Sequence, residues 1–332
     1  MSSVYLRGVG AVSPAGWGVE ALWSAALARA PLPVKELDHP AGKNPLRMRV
    51  VPPASSRPAW MAHARLRRSS PVSQHALGAA MEALQMAGIS VEKECAGLGI
   101  IVAVFSGCVQ YSRRFYQEVL SDPSTASPLI FPETVFNAPA SHLGAYLKCA
   151  AANYTLVGDA GAFLQAVAMG ANWITMRKVK HCLVVATEEA DWLAAEALRL
   201  FDKSCILAEG AGAVLLSGEP SAERSSQVRL AAVTDELLFS SISRQSAIRA
   251  VEAQLNSPES AWNVRSRISP PSESSAALRP EEVFGEGLMA SSAWSVCLAA
   301  QALLLSLAST SSVTIAGLHQ HAIGARFEVV AA

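Results

Sequence analysis

The sequence predicts an α/β protein in which a mixed β-sheet is layered with helices. Residues 98–105 form a continuous apolar run, and residues 181–187 are apolar between His181 and Thr187, which is typical of strands covered on both faces. Residues 71–87 begin with Pro71 and keep apolar side chains at helical spacing up to Gly88, so they predict a helix. Because strand and helix patterns of this kind alternate along the chain, a sheet packed against helices is the expected architecture.

The other elements follow from the same two patterns. The predicted strands are residues 4–12, 98–105, 154–157, 181–187, 211–216, 228–233, 312–315 and 326–330. The predicted helices are residues 19–28, 71–87, 141–149, 160–177 and 292–307. Residues 31–70 contain seven prolines and are interpreted as surface loops, and residues 257–279 as an irregular loop.

The composition is apolar and electrically neutral. Hydrophobic residues make up 51% of the 332 residues and charged residues 16%, against a usual charged fraction of about 25%. This indicates either a large core or an oligomer interface that hides apolar surface. The 27 basic residues balance 27 acidic ones, so charge gives no reason to expect a nucleic acid or an anionic membrane as partner.

The six cysteines form no Cys-x-x-Cys pair, so neither a zinc site nor a disulfide framework is predicted, and no cofactor is expected. We expect buried thiols in a reducing, cytoplasmic setting. No signal peptide is recognised before the first strand. The most apolar stretch, residues 294–308, is shorter than the roughly 20 residues of a membrane span and predicts a core helix.

Two motifs connect the sequence with a known family. Residues 4–23 (VYLRGVGAVSPAGWGVEALW) and 200–216 (LFDKSCILAEGAGAVLL), with the Phe-Pro…Asn segment at 131–137 between them, occur in the order found in β-ketoacyl synthases. The chain therefore resembles these synthases of fatty-acid and polyketide assembly. The resemblance implies the thiolase fold, a duplicated half with a mixed five-stranded sheet, stacked in α-β-α-β-α layers. It covers most of residues 1–218, the expected N-terminal half, and residues 219–332 are expected to form a shortened C-terminal half.

The family's nucleophile is a cysteine in a turn between a strand and a buried helix, where the helix dipole favours the thiolate. The matching turn here is Val157-Gly158-Asp159-Ala160-Gly161. The resemblance places Asp159 at the position of the nucleophile, or Ala160 if the alignment slips by one residue. An aspartate there would form a poorly stabilised mixed anhydride, so we expect Asp159 to cap the helix or to fill the pocket.

The family also uses two histidines that donate hydrogen bonds to the thioester carbonyl. Nothing like the Asn-x-His-Gly-Thr segment of the first histidine occurs in residues 224–280. Residues 281–292 match the second segment, with Glu286 in place of the histidine and Glu281 in place of a lysine. A carboxylate would repel a developing enolate, so the resemblance implies a chain without condensing activity.

Further residues are candidates for a pocket or binding role beside Asp159, Ala160 and Gly161. Cys108 follows a buried strand and is expected to be an inert thiol. Phe201 belongs to the Phe-Asp-Lys part of the second motif. His319 and His321 fall where the family has a Gly-Phe-Gly-Gly loop lining the site. Two imidazoles alone make an incomplete metal site, so structural roles are expected for both.

Three functions are compatible with these residues. The loss of all three catalytic residues resembles the chain length factors of type II polyketide synthases. A chain of that type pairs with an active ketosynthase in fatty-acid or polyketide-type (for example polyene) biosynthesis and shapes its acyl channel. The first alternative is a hydrolase or acyltransferase acting on acyl thioesters through a relocated site built from Asp159, Cys108, His319 or His321. The second alternative is a homodimeric scaffold.

The resemblance also implies where a partner would bind. In the family, the strand before the nucleophile pairs with its counterpart across a twofold axis, and here that strand is Tyr154-Thr155-Leu156-Val157. An uncovered apolar edge strand is prone to aggregation, so we expect an active ketosynthase or a second copy of this chain to cover it. An acyl carrier protein is expected to make contact through that partner.

Overall fold

A computed structural model describes residues 3–37, 39, 45–56, 58–67, 69–240, 243–266, 277–318 and 321–331. All predicted helices and strands are present, with ends that differ by a few residues. The helices are α1 (Val19–Ala28), α2 (Pro71–Met86), α3 (Val91–Glu94), α4 (Val109–Ser121), α5 (Ala138–Tyr146), α6 (Ala162–Thr175), α7 (Trp192–Phe201), α8 (Arg244–Leu255), α9 (Pro280–Phe284) and α10 (Met289–Leu304). The strands are β1 (Tyr5–Ser13), β2 (Gly16–Trp17), β3 (Lys35–Leu37), β4 (Leu46–Arg49), β5 (Gly99–Val104), β6 (Asn153–Val157), β7 (His181–Glu188), β8 (Leu207–Ala208), β9 (Gly210–Ser217), β10 (Ser226–Val233), β11 (Leu237–Leu238), β12 (Trp262–Arg265), β13 (Thr310–Ala316) and β14 (His321–Ala331).

The main sheet contains an internal repeat. Its strand order within the described residues is β12-β13-β14-β10-β1-β9-β7-β5-β6. In the first half, β7 runs parallel to β5 and antiparallel to β9, which is antiparallel to β1. In the second half, β13 runs parallel to β12 and antiparallel to β14, which is antiparallel to β10. The arrangement β5-β7-β9-β1 is thus repeated as β12-β13-β14-β10.

The predicted fold class is confirmed, with two differences in detail. Strands β1 and β10 pair with each other at Tyr5–Arg229 and Leu6–Val228, so the sheets of the two halves are joined at this edge. In the described residues of the second half, a single bridge between Val264 and Leu278 stands where β6 stands in the first half. The proposed boundary after residue 218 falls between β9 and β10, and the shortening of the C-terminal half stays a prediction.

The layers explain why the central strands are apolar on both faces. On β5, Ile100, Val102 and Val104 pack with α2 and α5 on the outer side, whereas Ile101 and Ala103 pack with α6 and α10 on the inner side. Helices α6 and α10 contact strands of both halves, and α8 covers the outer face of the second half. The result is the expected α-β-α-β-α stack.

Three longer helices, α4, α7 and α8, were not predicted. In α4, apolar and polar side chains are segregated, yet no side chain is fully buried, so the helix presents apolar surface to solvent. The predicted loops at 31–70 and 257–279 contain the short strands β3, β4 and β12, which gain their partners only in the folded chain. None of the helices in the described part of the chain has the length and hydropathy of a bilayer span.

Candidate functional site

Asp159 lies in the turn between β6 and α6, and its side chain is only 4% exposed. Its Oδ1 accepts hydrogen bonds from the backbone N–H of Ala160 at 2.8 Å and of Leu318 at 3.0 Å. A Cβ atom on Gly317 would collide with the carboxylate, so glycine is required at that close approach. Since α6 begins after Gly161, Asp159 is not the N-cap of the helix, and its buried carboxylate lies against the backbone of Leu318.

An apolar cavity of about 230 Å³ lies beside this connection. Leu318 links the two features, because its N–H binds Asp159 and the residue lines the cavity. The cavity is lined by residues that follow β5, by α7 and by the loops before α10 and after β13: Phe105, Ser106, Val109, Leu193, Ala194, Ala197, Leu198, Leu288 and Leu318. Such a lining suits an apolar group, and the described residues of the lining include no charged side chain.

Two buried glutamates at the end of β7 support one wall of the cavity. The Glu188 carboxylate accepts hydrogen bonds from the N–H groups of Phe105 and Ser106 and from the Ser106 hydroxyl. Burial raises the pKa of Glu188 to about 7, and the negative charge of Glu286 adds to the effect. Burial likewise raises the pKa of Glu189 to about 8, although the Gln110 N–H donates to it at 2.7 Å.

Glu281 and Glu286, the two residues aligned with the family's lysine and second histidine, are 5% and 8% exposed. The Oε1 atom of Glu286 accepts a hydrogen bond from the Leu288 N–H at 2.8 Å, and Leu288 lines the cavity. Glu281 lies on α9, just before this loop. Glu286 therefore brings negative charge to the side of the cavity and supplies no hydrogen-bond donor there while it is ionised.

Cys108 is an unsuitable nucleophile in this environment. Its thiol is 2% exposed, and burial together with the charge of Glu189 raises its pKa to about 12. The thiolate is the reactive species, so at neutral pH this cysteine is almost entirely the unreactive thiol.

Of the remaining candidates, the structure describes the side chain of His321 and the backbone of Phe201. His321 pairs through Nδ1 with Glu236, which also accepts a hydrogen bond from the Gln165 side chain on α6. His321 packs close to Gly161. Phe201 is the last residue of α7, and His319 falls outside the described residues. In the part of the chain that the structure describes, no group of three metal-ligating side chains occurs.

Strand β6 forms one end of the main sheet and pairs only with β5 among the described strands. Tyr154 and Val157 are 54% and 55% exposed, and Thr155 and Leu156 are half-buried. We use the name "apolar edge" for β6 together with the exposed apolar side chains of α4 and residues 129–136. These side chains are Tyr116, Leu120, Leu129, Phe131, Val135 and Phe136.

The segment at 129–136 is held against α4 and α5. The Ser112 hydroxyl of α4 donates to the Thr134 carbonyl at 3.0 Å, and the rings of Phe115 and Phe131 lie 5.5 Å apart. His142 of α5 pairs with Glu133 at 2.8 Å. Residues 129–136 are therefore fixed by the fold, and their exposed apolar side chains are of a kind that favours a protein partner.

Sequence reasoning missed Glu188 and Glu189, whose carboxylates accept hydrogen bonds from the backbone of Phe105, Ser106 and Gln110 beside the cavity. The sequence signal was the pair of acidic residues that follows the largely apolar segment 182–186. Charged groups next to a buried strand are expected to be hydrogen-bonded inside the fold. Nothing local to Leu318 predicted that its backbone N–H binds Asp159, since the two residues are 159 positions apart.

A scan against protein-family models finds no match, and a search of curated proteins finds no significant match. Solved structures are similar over the whole chain. The ishigamide ketosynthase/chain length factor has a TM-score of 0.80 and 18% identity, with 99% of each chain covered. A β-ketoacyl synthase from Burkholderia phymatum has a TM-score of 0.78 and 14% identity, with 99% of this chain and 100% of that chain covered.

A third structure holds a ketosynthase in complex with its chain length factor from Xenorhabdus doucetiae. It has a TM-score of 0.76 and 13% identity, with 99% of this chain and 98% of that chain covered. The TM-scores establish a shared architecture, whereas identities this low do not establish a shared activity. The chain therefore has the thiolase fold that ketosynthases and ketosynthase–chain length factor proteins share.

Proposed function

We propose that this chain is a non-catalytic subunit of the chain-length-factor type, which pairs with an active ketosynthase in polyketide-type or fatty-acid biosynthesis. The observation that carries the proposal is the buried carboxylate of Asp159 in the strand–turn–helix unit, where the family's thiol would stand. The strand–turn–helix unit is retained at this position, but the nucleophilic thiol that condensation requires is replaced by a carboxylate.

Each requirement of condensation is unmet at the aligned positions. Asp159 cannot form a thioester, and its Oδ1 is already bound to two backbone N–H groups. Glu286 is buried beside the cavity with its carboxylate oxygen bound to the Leu288 N–H. A buried negative charge at the place of a hydrogen-bond donor would raise the barrier to enolate formation. The high pKa of Cys108 also weakens the alternative of a relocated thiol site.

The apolar edge supports the pairing with another subunit. Among the described strands β6 pairs on one side only, with β5, and its exposed side chains include Tyr154 and Val157. A partner strand would satisfy those backbone groups, and burying the apolar side chains of α4 and residues 129–136 would add hydrophobic stabilisation. Since residues 129–136 would then face the partner, we infer that they line or narrow the partner's acyl channel. An acyl carrier protein would dock through the ketosynthase.

A reconstituted elongation assay tests the proposal. Radiolabelled malonyl carrier protein and an acyl primer are incubated with this chain alone, with a candidate ketosynthase alone, and with both. We expect no carbon dioxide release by the chain alone above the no-protein blank. We expect higher turnover or a different product length when both proteins are present. Decarboxylation by the chain alone would contradict the proposal, as would a restoration of condensation by Asp159→Cys alone.

A further inference from the structure

The carboxylate of Asp159 occupies a site built from two separate parts of the chain. One N–H donor, that of Ala160, belongs to the turn leading into α6, and the other, that of Leu318, follows β13. Both N–H groups point to the same oxygen, Oδ1, at 2.8 and 3.0 Å. With 4% of the residue exposed, water does not compete effectively for these hydrogen bonds.

The surroundings of the carboxylate are shaped to its size. The backbone at Gly317 approaches so closely that any Cβ there would collide with both carboxylate oxygens. The Ser292 hydroxyl of α10 donates to the Ala160 carbonyl at 2.7 Å and so holds the Ala160–Gly161 peptide of the turn. The site also lies at the N-terminal end of the 14-residue helix α6, whose dipole favours a negative charge.

We propose that these groups form a carboxylate-binding site that the chain fills with its own Asp159. The side chain acts as a built-in ligand, and the two N–H groups are therefore closed to a carboxylate or carbonyl oxygen of an incoming molecule. When the side chain is removed, the vacated site takes a small carboxylate of the same shape, such as acetate. The site lies entirely within this chain, so it can be tested without a partner protein and independently of the proposed function.

The test uses the full chain carrying Asp159→Gly, with sodium acetate as the probe and sodium chloride at equal ionic strength as its control. Loss of two charge-assisted hydrogen bonds should accelerate hydrogen exchange of the Leu318 amide by more than about a hundredfold. Acetate at about 0.1 M should slow that exchange by about tenfold and raise the unfolding temperature, if its Kd is near 10 mM. Acetate with no greater effect than chloride on the folded variant would overturn the proposal.

Two further variants sharpen the result. Asp122 is an exposed aspartate that accepts a hydrogen bond from the Ser124 N–H at 2.9 Å, so Asp122→Gly removes a carboxylate without vacating a buried site. Acetate should not stabilise that variant. Asp159→Asn retains an oxygen at the Oδ1 position, so Leu318 exchange should accelerate by less than about tenfold. This variant also decides the matter if Asp159→Gly does not fold, because a large loss of Leu318 protection in it would show that the acceptor geometry is wrong.

Discussion

Val157→Asp is expected to abolish the stable complex between this chain and its ketosynthase while leaving the chain itself folded. Val157 is 55% exposed in the isolated chain, so the substitution should change its free energy of unfolding by less than about 0.5 kcal/mol. In the complex, the same side chain would become an unpaired buried charge. A cost of about 3 kcal/mol or more in binding free energy raises Kd by at least about a hundredfold.

A matched control separates the apolar edge from a general effect of added charge. Leu307 is 53% exposed and lies just before β13, in the other half of the sheet. Leu307→Asp should leave the affinity for the ketosynthase unchanged. Both affinities can be measured by surface plasmon resonance or by analytical ultracentrifugation. Equal binding by the Val157 and Leu307 variants would show that β6 is not part of the interface.

The free energy of unfolding of the chain is expected to fall as pH rises, because Glu188 and Glu189 are buried. The pKa values of Glu188 and Glu189 are raised by burial to about 7 and about 8, above the value of 4.5 for an exposed glutamate. The folded state therefore binds these protons more tightly than the unfolded state. Their stabilising contribution is complete below pH 4.5 and is lost as pH rises through 7 and 8. Between pH 6 and pH 9 the two groups should lower the free energy of unfolding by about 4 kcal/mol.

Denaturant unfolding at several pH values measures this dependence. Glu188→Gln and Glu189→Gln keep an acceptor oxygen for the Phe105 and Gln110 N–H groups but remove the titration. Each variant should be less sensitive to pH than the original chain, and the double variant should be the least sensitive. Burial lowers the pKa of His75, so its titration raises the free energy of unfolding as pH rises. This contribution is common to all variants and cancels when their pH dependences are compared. An unchanged slope in both variants would contradict the assigned pKa values.

The architecture was predictable because its signals are local. The apolar strands β5 and β7 and the Pro71 start of α2 are visible in the sequence, and the two motifs fixed the order of the first half. Helix α4 was missed although its apolar and polar side chains are segregated at helical spacing, and none of these side chains is fully buried within the chain. The bridge between Val264 and Leu278 depends on pairing between segments that are separate in sequence, which no local pattern reports.

The candidate site was only partly predictable for the same reason. The replacement of the thiol at Asp159 and of the histidine at Glu286 follows from aligning motifs, and this needs no three-dimensional information. The partner of Asp159 is a backbone N–H at Leu318, and every residue except proline carries such a group. Glu188 receives its hydrogen bonds from Phe105 and Ser106, about eighty residues earlier in the chain. Contacts of this kind are decided by topology.

The most direct test of the central claim is the solution mass of this chain measured alone and after mixing with a candidate ketosynthase, by analytical ultracentrifugation or native mass spectrometry. The account predicts a complex with one copy of each subunit, which forms at the expense of any self-association because both use the apolar edge. A chain that stays monomeric in both samples, or a homodimer that the ketosynthase does not displace, would contradict it.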